Sequence, residues 1–504
     1  MLVNDKVLVG KSGDKELSIL LNKANRHGLI TGASGSGKTI TLKVMAESFS
    51  SAGVPVFLAD VKGDLTGMCE EGVGNEKIEE RLNLLKVENF DFKKFPTRFW
   101  DVYGKVGHPL RTTVHDVGTI ILARMLGLNE TQEGVLAIAF KIAREKELPL
   151  DDLKDLRMLL QYVAEHKSEL TVAYGNVTPA SIGSIQRGLL MLEEQGADEF
   201  FGLPSLDIKD FMKRNDSDEG YINVLNAAEL YKKPTLYACF MLWLLVYLSQ
   251  NMEEVGDLEK PKLVFFFDEA HLLFDNMPSY MLESVIQVVK LIRSKGIGLY
   301  FISQSPSDIP GQILEQLGNV VQHTLRAYTP SEQKVVKAAV ASFRPNPAFS
   351  TEEAIMSLGT GEAVVSFVNE KGEPGICEKV TILPPQSKME GADPIRILDV
   401  INSSELASKY ESTTERESAY EILVKQAEEE KARREEQERL AEEAKQEQLR
   451  LKEEEKQKKE AERLANKPAK KTGAQKALER GVNSAMSSIG RQIGNSIFKG
   501  IFKK

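Results

Sequence analysis

The sequence has few of the residues that build metal clusters or disulfide frameworks. Its 504 residues include only three cysteines, Cys69, Cys239 and Cys377. They lie far apart and form no Cys-x-x-Cys pair, which argues against a zinc knuckle or a disulfide framework and favours a reducing compartment. The longest apolar run, residues 236–248, is too short to span a bilayer and predicts a buried helix.

The sequence also lacks a targeting signal and an excess of positive charge. Residues 1–14 contain no basic segment followed by an apolar core, so we expect no signal peptide and a cytoplasmic protein. The formal net charge is -9. This acidic total argues against a protein coated with nucleic acid, although it is compatible with a local basic groove.

Short apolar runs typical of strands alternate with helical patterns up to about residue 385. Such alternation predicts an α/β fold with a mainly parallel sheet. Residues from about 115 to 200 are mainly helical in pattern, and we interpret them as a helical insertion. The predicted strands cover residues 28–31, 54–60, 263–268, 299–303, 320–325 and 363–368.

A complete phosphate-binding loop follows the first predicted strand. Residues 32–39 match G-x-x-x-x-G-K-[ST] in full, and a helix is predicted after them. The glycines let backbone N–H groups approach phosphate oxygens, and the helix N-terminus adds positive potential. Lys38 is expected at the β- and γ-phosphates and Thr39 at Mg²⁺, so the loop by itself predicts a bound nucleotide with Mg²⁺ and leaves the base open. The predicted binding residues are Gly32, Ala33, Ser34, Gly35, Ser36, Gly37, Lys38, Thr39 and Ile40.

Two adjacent carboxylates, Asp268 and Glu269, end a second apolar strand. Ligands of parallel α/β sheets bind at the carboxyl ends of the strands. We expect Asp268 to order the Mg²⁺ shell and Glu269 to polarise the attacking water as a general base. Solvated acids at a strand end are the alternative, and the upstream phosphate loop favours the catalytic interpretation.

Five further residues are candidates for roles around the nucleotide. Gln304 ends another predicted strand and is a candidate γ-phosphate sensor, with simple capping as the alternative. Arg326 and Arg293 are candidates for an arginine that acts on a neighbouring subunit's phosphate, with a surface ion pair as the alternative. Asp60 and Lys62 could couple the nucleotide to a partner, or belong to an ordinary polar loop.

Two other classes of site fit the sequence poorly. A GTPase would need Asn-Lys-x-Asp downstream of the phosphate loop, whereas residues 22–25, Asn-Lys-Ala-Asn, precede it and end in asparagine. The six histidines form no metal-binding set. Three of them, His27, His271 and His323, lie at strand or strand-end positions and are predicted to be structural.

Taken together, these motifs resemble the HerA/FtsK superfamily of hexameric ATPases. The resemblance rests on GASGSGKT, on the Asp-Lys-Gly element at residues 60–63, and on the FFFDEAH and FISQSP strands. The stretches NRHGLITG, FLADVKGDLTG, FWDVYGKVGHPLRTTV and QHTLRAYTPSEQKVVKAA are similar to a narrower group, bacterial HerA-like helicase C-terminal-domain proteins of the YjgR type. The likeness covers about residues 17–383.

This resemblance implies a RecA-like P-loop fold, ATP as the nucleotide that binds with Mg²⁺, a hexameric ring and translocation on double-stranded DNA. HerA proteins also resemble one another in an N-terminal barrel domain; the phosphate loop here begins at Gly32, so we expect no such domain. Carried over by position, the resemblance assigns the Walker A residues to Lys38 and Thr39, the Walker B pair to Asp268 and Glu269, the sensor to Gln304 and a trans arginine to Arg326.

Composition divides the chain into four predicted parts. They are an ATPase domain (1–385), a linker (386–414), a charged solvated helix (415–466) and a basic amphipathic tail (467–504). Three interpretations of the tail stay open: it rests on an anionic membrane, it docks on a protein, or its periodicity arises by chance in a disordered segment. Its apolar positions are Val482, Met486, Ile489, Ile493, Ile497 and Ile501, with basic Arg491, Lys499, Lys503 and Lys504.

Three functions are compatible with these features. The first is a ring-forming DNA translocase or helicase-like ATPase. The alternative is an ATPase that remodels or assembles a protein or membrane-associated partner through its C-terminal tail, without DNA. The third, a nucleotide-binding regulator without turnover, is disfavoured because a pure binder has no need of the water-activating carboxylate of Glu269.

Overall fold

The chain divides into two units, Met1–Val424 and Lys425–Lys504. The computed structural model describes residues 1–87, 89–256, 258–275, 277, 279–327 and 329–465. The predicted amphipathic tail, residues 467–504, lies outside the described residues.

Within the described residues, thirteen strands form a single sheet in the first unit. The strands are β1 (Leu2–Val3), β2 (Lys6–Ser12), β3 (Lys15–Leu20), β4 (Gly28–Thr31), β5 (Val56–Asp60), β6 (Thr97–Asp101), β7 (His108–Pro109), β8 (Ile222–Asn226), β9 (Leu263–Phe267), β10 (Ile297–Ser303), β11 (Asn319–Gln322), β12 (Glu362–Ser366) and β13 (Glu378–Ile382).

The sheet is mainly parallel, so the predicted α/β class is confirmed. Eight neighbouring strands run parallel in the order β11-β4-β10-β9-β5-β8-β6-β7. Strands β12, β13, β2, β1 and β3 extend the β11 side with antiparallel pairs. All six predicted strands are present, with ends shifted by up to three residues.

The central strands are buried on both faces because helices cover both sides of the sheet. Every residue of β5, β9 and β10 is buried, which is why these segments are almost continuous apolar runs instead of alternating patterns. Helix α10 (Pro234–Asn251) contains the longest apolar run, and it is buried over most of its length, as predicted. No helix in the described part of the chain is long and apolar enough to cross a membrane.

Helices account for most of the remaining chain of the first unit. The segment between β7 and β8, where the helical insertion is predicted, contains α3 (Val114–Met125), α4 (Glu130–Glu145), α5 (Leu153–Glu165), α6 (Lys167–Tyr174), α7 (Pro179–Glu193) and α8 (Ile208–Phe211). The other helices are α1 (Lys38–Ser51), α2 (Glu76–Leu85), α9 (Ala228–Tyr231), α11 (His271–Phe274), α12 (Ser279–Ile292), α13 (Gly311–Leu314), α14 (Pro330–Ala341), α15 (Thr351–Ser357), α16 (Pro394–Asn402), α17 (Ala407–Tyr410) and α18 (Ala419–Ala465), with 3-10 helices at Leu21–Arg26, Leu65–Cys69, Ala197–Glu199, Arg293–Lys295 and Pro306–Asp308.

Residues 386–424, here called the C-terminal strap, belong to the first unit. At its start, the buried Glu47 carboxylate of α1 accepts hydrogen bonds from the Gln386 N–H at 2.8 Å and the Ser387 N–H at 3.2 Å. The buried ammonium of Lys43, on the same helix, donates to the Lys388 carbonyl at 2.7 Å. The strap is therefore tied to the helix that follows the phosphate loop.

The later part of the strap is anchored near β7, the last strand in the order of the sheet. Tyr410 is fully buried, and its hydroxyl donates to the Asp210 carboxylate at 2.6 Å. Arg416 makes two hydrogen bonds of 2.7 Å to the Asp151 carboxylate. The prediction that residues 386–414 form a linker is therefore wrong, because helices α16 and α17 in this segment bury side chains against the ATPase core.

The described part of the second unit is helical. Helix α18 spans 47 residues, and its residues from 425 to 465 are exposed. Ion pairs four residues apart support it, such as Arg433–Glu429 at 3.6 Å and Lys459–Glu455 at 2.6 Å. A helix so uniformly charged obtains little from apolar packing, and its stability depends on such pairs and on helix propensity.

The burial of Tyr410 predicts that the strap contributes to the stability of the ATPase core. Tyr410→Ala should lower the free energy of unfolding by about 3–5 kcal/mol, since it removes a buried aromatic side chain and its hydrogen bond. Tyr420→Ala, which truncates an exposed ring, should change it by less than about 1 kcal/mol. Urea unfolding measures both values, and equal stabilities of the two variants would contradict the assignment.

Candidate active site

The parallel pairing of the central strands brings the predicted site residues to one edge of the sheet. Strand β4 leads into the phosphate loop and lies between β11 and β10, with Thr31 opposite Ser303 and Gln322. Strand β9 lies beyond β10 and leads into Asp268 and Glu269. Because all these strands run in the same direction, their carboxyl ends meet at this edge.

Two glycines allow the phosphate loop its close turns. Gly32 has φ 152°, and a Cβ atom there would lie 2.5 Å from the Cβ of His323. Gly37 has φ 114°, and its Cβ would lie 3.2 Å from the backbone nitrogen of Gly361. L-residues rarely adopt these φ values, so both the conformation and the crowding require glycine at these two positions.

The loop is held from outside by neighbouring chain segments. The Ala33 N–H donates to the Thr324 carbonyl after β11 at 2.9 Å, and the Gly361 N–H donates to the Ser36 carbonyl at 3.0 Å. Arg81, on α2, in turn donates to the Gly361 carbonyl at 3.2 Å. The loop therefore has a fixed shape that does not depend on its own sequence alone.

His323 supports the loop from beneath. Its Nε2 atom lies 2.9 Å from the Thr41 hydroxyl, and its Nδ1 atom lies 2.9 Å from the Glu362 carbonyl oxygen. Burial lowers the pKa of His323 to about 4, so the imidazole is neutral at physiological pH. Both ring nitrogens are occupied, as are those of His27, which contact the Val289 carbonyl and the Leu299 N–H.

The loop presents donors suited to a polyanion. The Lys38 ammonium lies 2.6 Å from the Gly32 carbonyl oxygen and 3.1 Å from that of Ala33, at the rim of the loop. The buried Ser36 hydroxyl has no hydrogen-bond partner among the residues that the structure describes. Helix α1 begins at Lys38, and the N–H groups of its first turn have no intrahelical acceptors. These donors fit the phosphates of ATP.

The acid pair lies within electrostatic reach of the phosphate loop. Burial lowers the pKa of Lys38, and the Glu269 and Asp268 carboxylates oppose that effect. The Asp268 side chain keeps some exposure to solvent, but burial, together with the Glu269 charge, raises its pKa to about 7. A buried carboxyl group with a raised pKa is suited to cation binding, because a bound cation offsets the electrostatic cost of the ionised carboxylate.

The backbone at the acid pair departs from ordinary strand geometry. Glu269 has φ 48°, in the left-handed region, which costs an L-residue roughly 1–2 kcal/mol. Its N–H donates to Asp268 Oδ1 at 3.0 Å, and the Tyr237 hydroxyl donates to the Asp268 carbonyl at 2.9 Å. His271 Nδ1 lies 3.5 Å from Glu269 Oε2, so this histidine is adjacent to the acid pair and does not fit the purely structural role predicted for it.

The two residues predicted to assist catalysis lie at the same sheet edge. Gln304 is exposed and follows β10, which separates the phosphate-loop strand from the acid-pair strand. Arg326 is exposed and follows β11, on the other side of the phosphate loop. Arg293 precedes β10 and therefore lies near the amino ends of the strands, away from this edge.

The loop after β5 is organised by Asp60. Its carboxylate accepts N–H groups of Lys62, Gly63, Leu65 and Thr66 at 2.7–3.2 Å, so Asp60 serves to shape the loop. Lys62 is exposed at the same edge. Its positive charge adds to the lowering of the Lys38 pKa by burial, and it partly opposes the raising of the Asp268 pKa by burial and by Glu269.

Two supporting residues carry no recognisable sequence signal. Tyr237 lies inside an apolar helical run, and Arg81 lies in an ordinary charged helix. Their contacts become visible only in the folded chain, because their partners are distant in sequence or are backbone atoms. Pattern analysis has no means of finding them.

The raised pKa of Asp268 predicts a pH-dependent magnesium affinity. Below about pH 7 a proton competes with Mg²⁺ for this carboxylate, so the affinity of the ATP-bound protein for Mg²⁺ should fall about tenfold per pH unit. Titrations at about pH 6 and 8, corrected for protonation of free ATP, measure this slope. Asp268→Asn should lose it, because an amide does not titrate. Equal affinities at both pH values would contradict a role for Asp268 in metal binding.

Comparisons with known proteins agree with this geometry. A family model described as "Helicase HerA-like C-terminal" matches residues 5–504. The chain is 24% identical over 403 residues to the DNA double-strand break repair helicase HerA of Sulfurisphaera tokodaii, covering 77% of this chain and 71% of the relative. It is 22% identical over 411 residues to the protein of the same description from Sulfolobus acidocaldarius, with the same coverage.

Solved structures of other proteins are also similar to this chain. VirB4 of Thermoanaerobacter pseudethanolicus has a TM-score of 0.49 at 16% identity, covering 76% of this chain and 97% of that one. The plasmid coupling protein TrwB, in complex with a non-hydrolysable ATP analogue, has a TM-score of 0.47 at 14% identity, covering 76% and 93%. On the family match, the resemblance found in the motifs is confirmed: the chain belongs to the HerA-like helicase C-terminal family, and it is a P-loop ATPase.

Proposed function

We propose that this protein is a ring-forming motor that couples ATP hydrolysis to movement on double-stranded DNA, as a translocase or helicase-like ATPase. One observation carries the proposal: a complete phosphate loop and a pair of adjacent acids lie at the same edge of the sheet. The chain that contains them belongs to the HerA-like family. The relatives named as DNA double-strand break repair helicases supply the choice of DNA as substrate.

The residues of the site have distinct roles in this proposal. Lys38 and the loop N–H groups bind the phosphates, and Thr39 with Asp268 would hold Mg²⁺, which supplies neutralisation of phosphate charge when bound. Glu269 accepts a proton of the attacking water as the water oxygen bonds to the γ-phosphorus, while the bond from that phosphorus to the β–γ bridging oxygen breaks and ADP leaves. Gln304 follows the strand that lies between the phosphate-loop strand and the acid-pair strand, and it orients that water or senses the γ-phosphate.

A ring would complete the site with an arginine from the neighbouring copy. Arg326 is exposed at the nucleotide edge, where it would be accessible at a subunit boundary. An arginine supplied in this way neutralises charge on the transferred phosphoryl group. The hexamer rests on the family resemblance, and this position of Arg326 supports it. The three free, buried cysteines favour a reducing compartment, so we place the motor in the cytoplasm.

The alternative function is remodelling or assembly of a protein or membrane-associated partner, without DNA. The formal net charge of -9 favours it, because an acidic chain gains little from the phosphate contacts that dominate DNA binding. In this alternative, residues 467–504 would act as the adaptor. Deleting those residues would then abolish the function, whereas a DNA motor with its site in the ATPase unit would retain activity on DNA.

Steady-state ATP hydrolysis with and without double-stranded DNA distinguishes these functions. We expect DNA to raise the rate several-fold, and the stimulation to weaken steeply with salt as counterions are released from the phosphates. Single-stranded DNA of equal nucleotide content tests the strand preference. A substantial rate that is indifferent to either DNA would overturn the translocase proposal and favour the partner-remodelling alternative.

Glu269→Gln is the matched catalytic control. It should bind ATP with unchanged affinity but turn over about 10²-fold or more slowly, because the amide cannot accept a proton from water. Fluorescent-nucleotide binding and phosphate release measure the two properties separately. A Glu269→Gln rate equal to that of the wild-type hexamer would exclude Glu269 as the general base.

A further inference from the structure

The direction of the Glu269 side chain is set by the peptide group that precedes it. The orientation of that peptide fixes the φ angle of Glu269, which is 48°. Nothing in the local sequence favours this value, because the left-handed region is unfavourable for a glutamate. Contacts from outside the segment must therefore hold the peptide in place.

Both polar groups of this peptide have identified partners. The Asp268 carbonyl accepts a hydrogen bond from the Tyr237 hydroxyl at 2.9 Å, and the Glu269 N–H donates to Asp268 Oδ1 at 3.0 Å. The following peptide is also restrained, since the Ala270 N–H donates to the Ile302 carbonyl at 2.8 Å. The Cα atom of Glu269 is thus held between two fixed peptide groups.

Of these contacts, only the one from Tyr237 reaches the acid pair from a distant side chain. Tyr237 lies in the first turn of α10 and is fully buried, and most of the other residues of this helix are apolar. A phenylalanine would fill the same volume without a polar atom to satisfy. The hydrogen bond to the Asp268 carbonyl therefore explains why this position has a tyrosine hydroxyl.

We propose that Tyr237 is a positioning residue for ATP hydrolysis: its hydroxyl fixes the Asp268–Glu269 peptide so that the Glu269 carboxylate points at the attacking water. This inference rests on the role of Glu269 as general base in the proposed function. Tyr237 itself is fully buried and acts through the Asp268 carbonyl. Without its hydrogen bond the peptide can rotate towards ordinary φ values, and the Glu269 carboxylate moves away from its catalytic direction.

The test is Tyr237→Phe, which removes one oxygen atom and keeps the ring. We expect kcat for ATP hydrolysis to fall about tenfold, the usual effect of losing one well-placed hydrogen bond. The KM and the affinity for ATP should stay within about twofold of the wild-type values, because the phosphate loop is untouched. A loss of activity in which KM rises together with the fall in kcat would indicate general disruption of the site and overturn the proposal.

Tyr247→Phe is the matched control on the same helix. The Tyr247 hydroxyl also donates to a backbone carbonyl, that of Leu206, at 3.0 Å, but this contact is remote from the acid pair. Both variants should lose a similar amount of stability in thermal unfolding, whereas only Tyr237→Phe should lose kcat. If the two variants have the same kcat, the Tyr237 hydroxyl is merely structural and the proposal is wrong.

A double variant separates this inference from the proposed function. In a Glu269→Gln background, Tyr237→Phe should cause no further loss of turnover, because the residue through which it acts is already disabled. An additional tenfold loss would show that Tyr237 acts elsewhere. If Glu269→Gln alone were fully active, the assignment of the general base would fail first, whatever the behaviour of Tyr237→Phe.

Discussion

The parallel hydrogen-bonded ladder through β11, β4, β10, β9 and β5 is the constraint on which the site depends. Three of these strands each contribute a different part at their carboxyl ends: the phosphate loop follows β4, Gln304 follows β10 and the acid pair follows β9. A slip of one residue would move a strand by about 3.3 Å and turn its side chains to the other face. Burial of both faces prevents such a slip, so the spacing between the loop and the acids is a property of the whole sheet.

The parts that the sequence predicts well are those encoded by contiguous residues. The phosphate loop and the strand before Asp268 combine their composition, spacing and local structure in a short stretch, and the main strands are present where apolar runs indicated them. The C-terminal strap escaped prediction because its anchors are distant in sequence: Glu47 and Gln386 are 339 positions apart. Tyr237 escaped for a related reason, because a tyrosine in an apolar helix is indistinguishable from a core residue until its partner is known.

Two residues of the candidate site, Asp268 and Glu269, are held in states that are unfavourable for an isolated residue of their type. At position 269 a glycine would adopt φ 48° without strain, but it has no side chain that could accept a proton from water, which is the role we propose for Glu269. The structure keeps the glutamate and offsets the strain with hydrogen bonds to the peptides on either side. The raised pKa of Asp268 has a similar origin, since burial beside a second carboxylate disfavours its charge until a cation is present. Conflicts of this kind between local and global structure concentrate at functional positions.

The contacts between α1 and the C-terminal strap also bear on how the protein is made. The buried charges of Glu47 and Lys43 find their hydrogen-bond partners at residues 386–389, near the end of the ATPase unit. During synthesis the helix behind the phosphate loop emerges from the ribosome long before those partners exist. Until they appear, its two buried charges must remain in water, so this helix cannot dock in its final position on the sheet. The helix behind the nucleotide-binding loop is thus completed only after synthesis has passed residues 386–389.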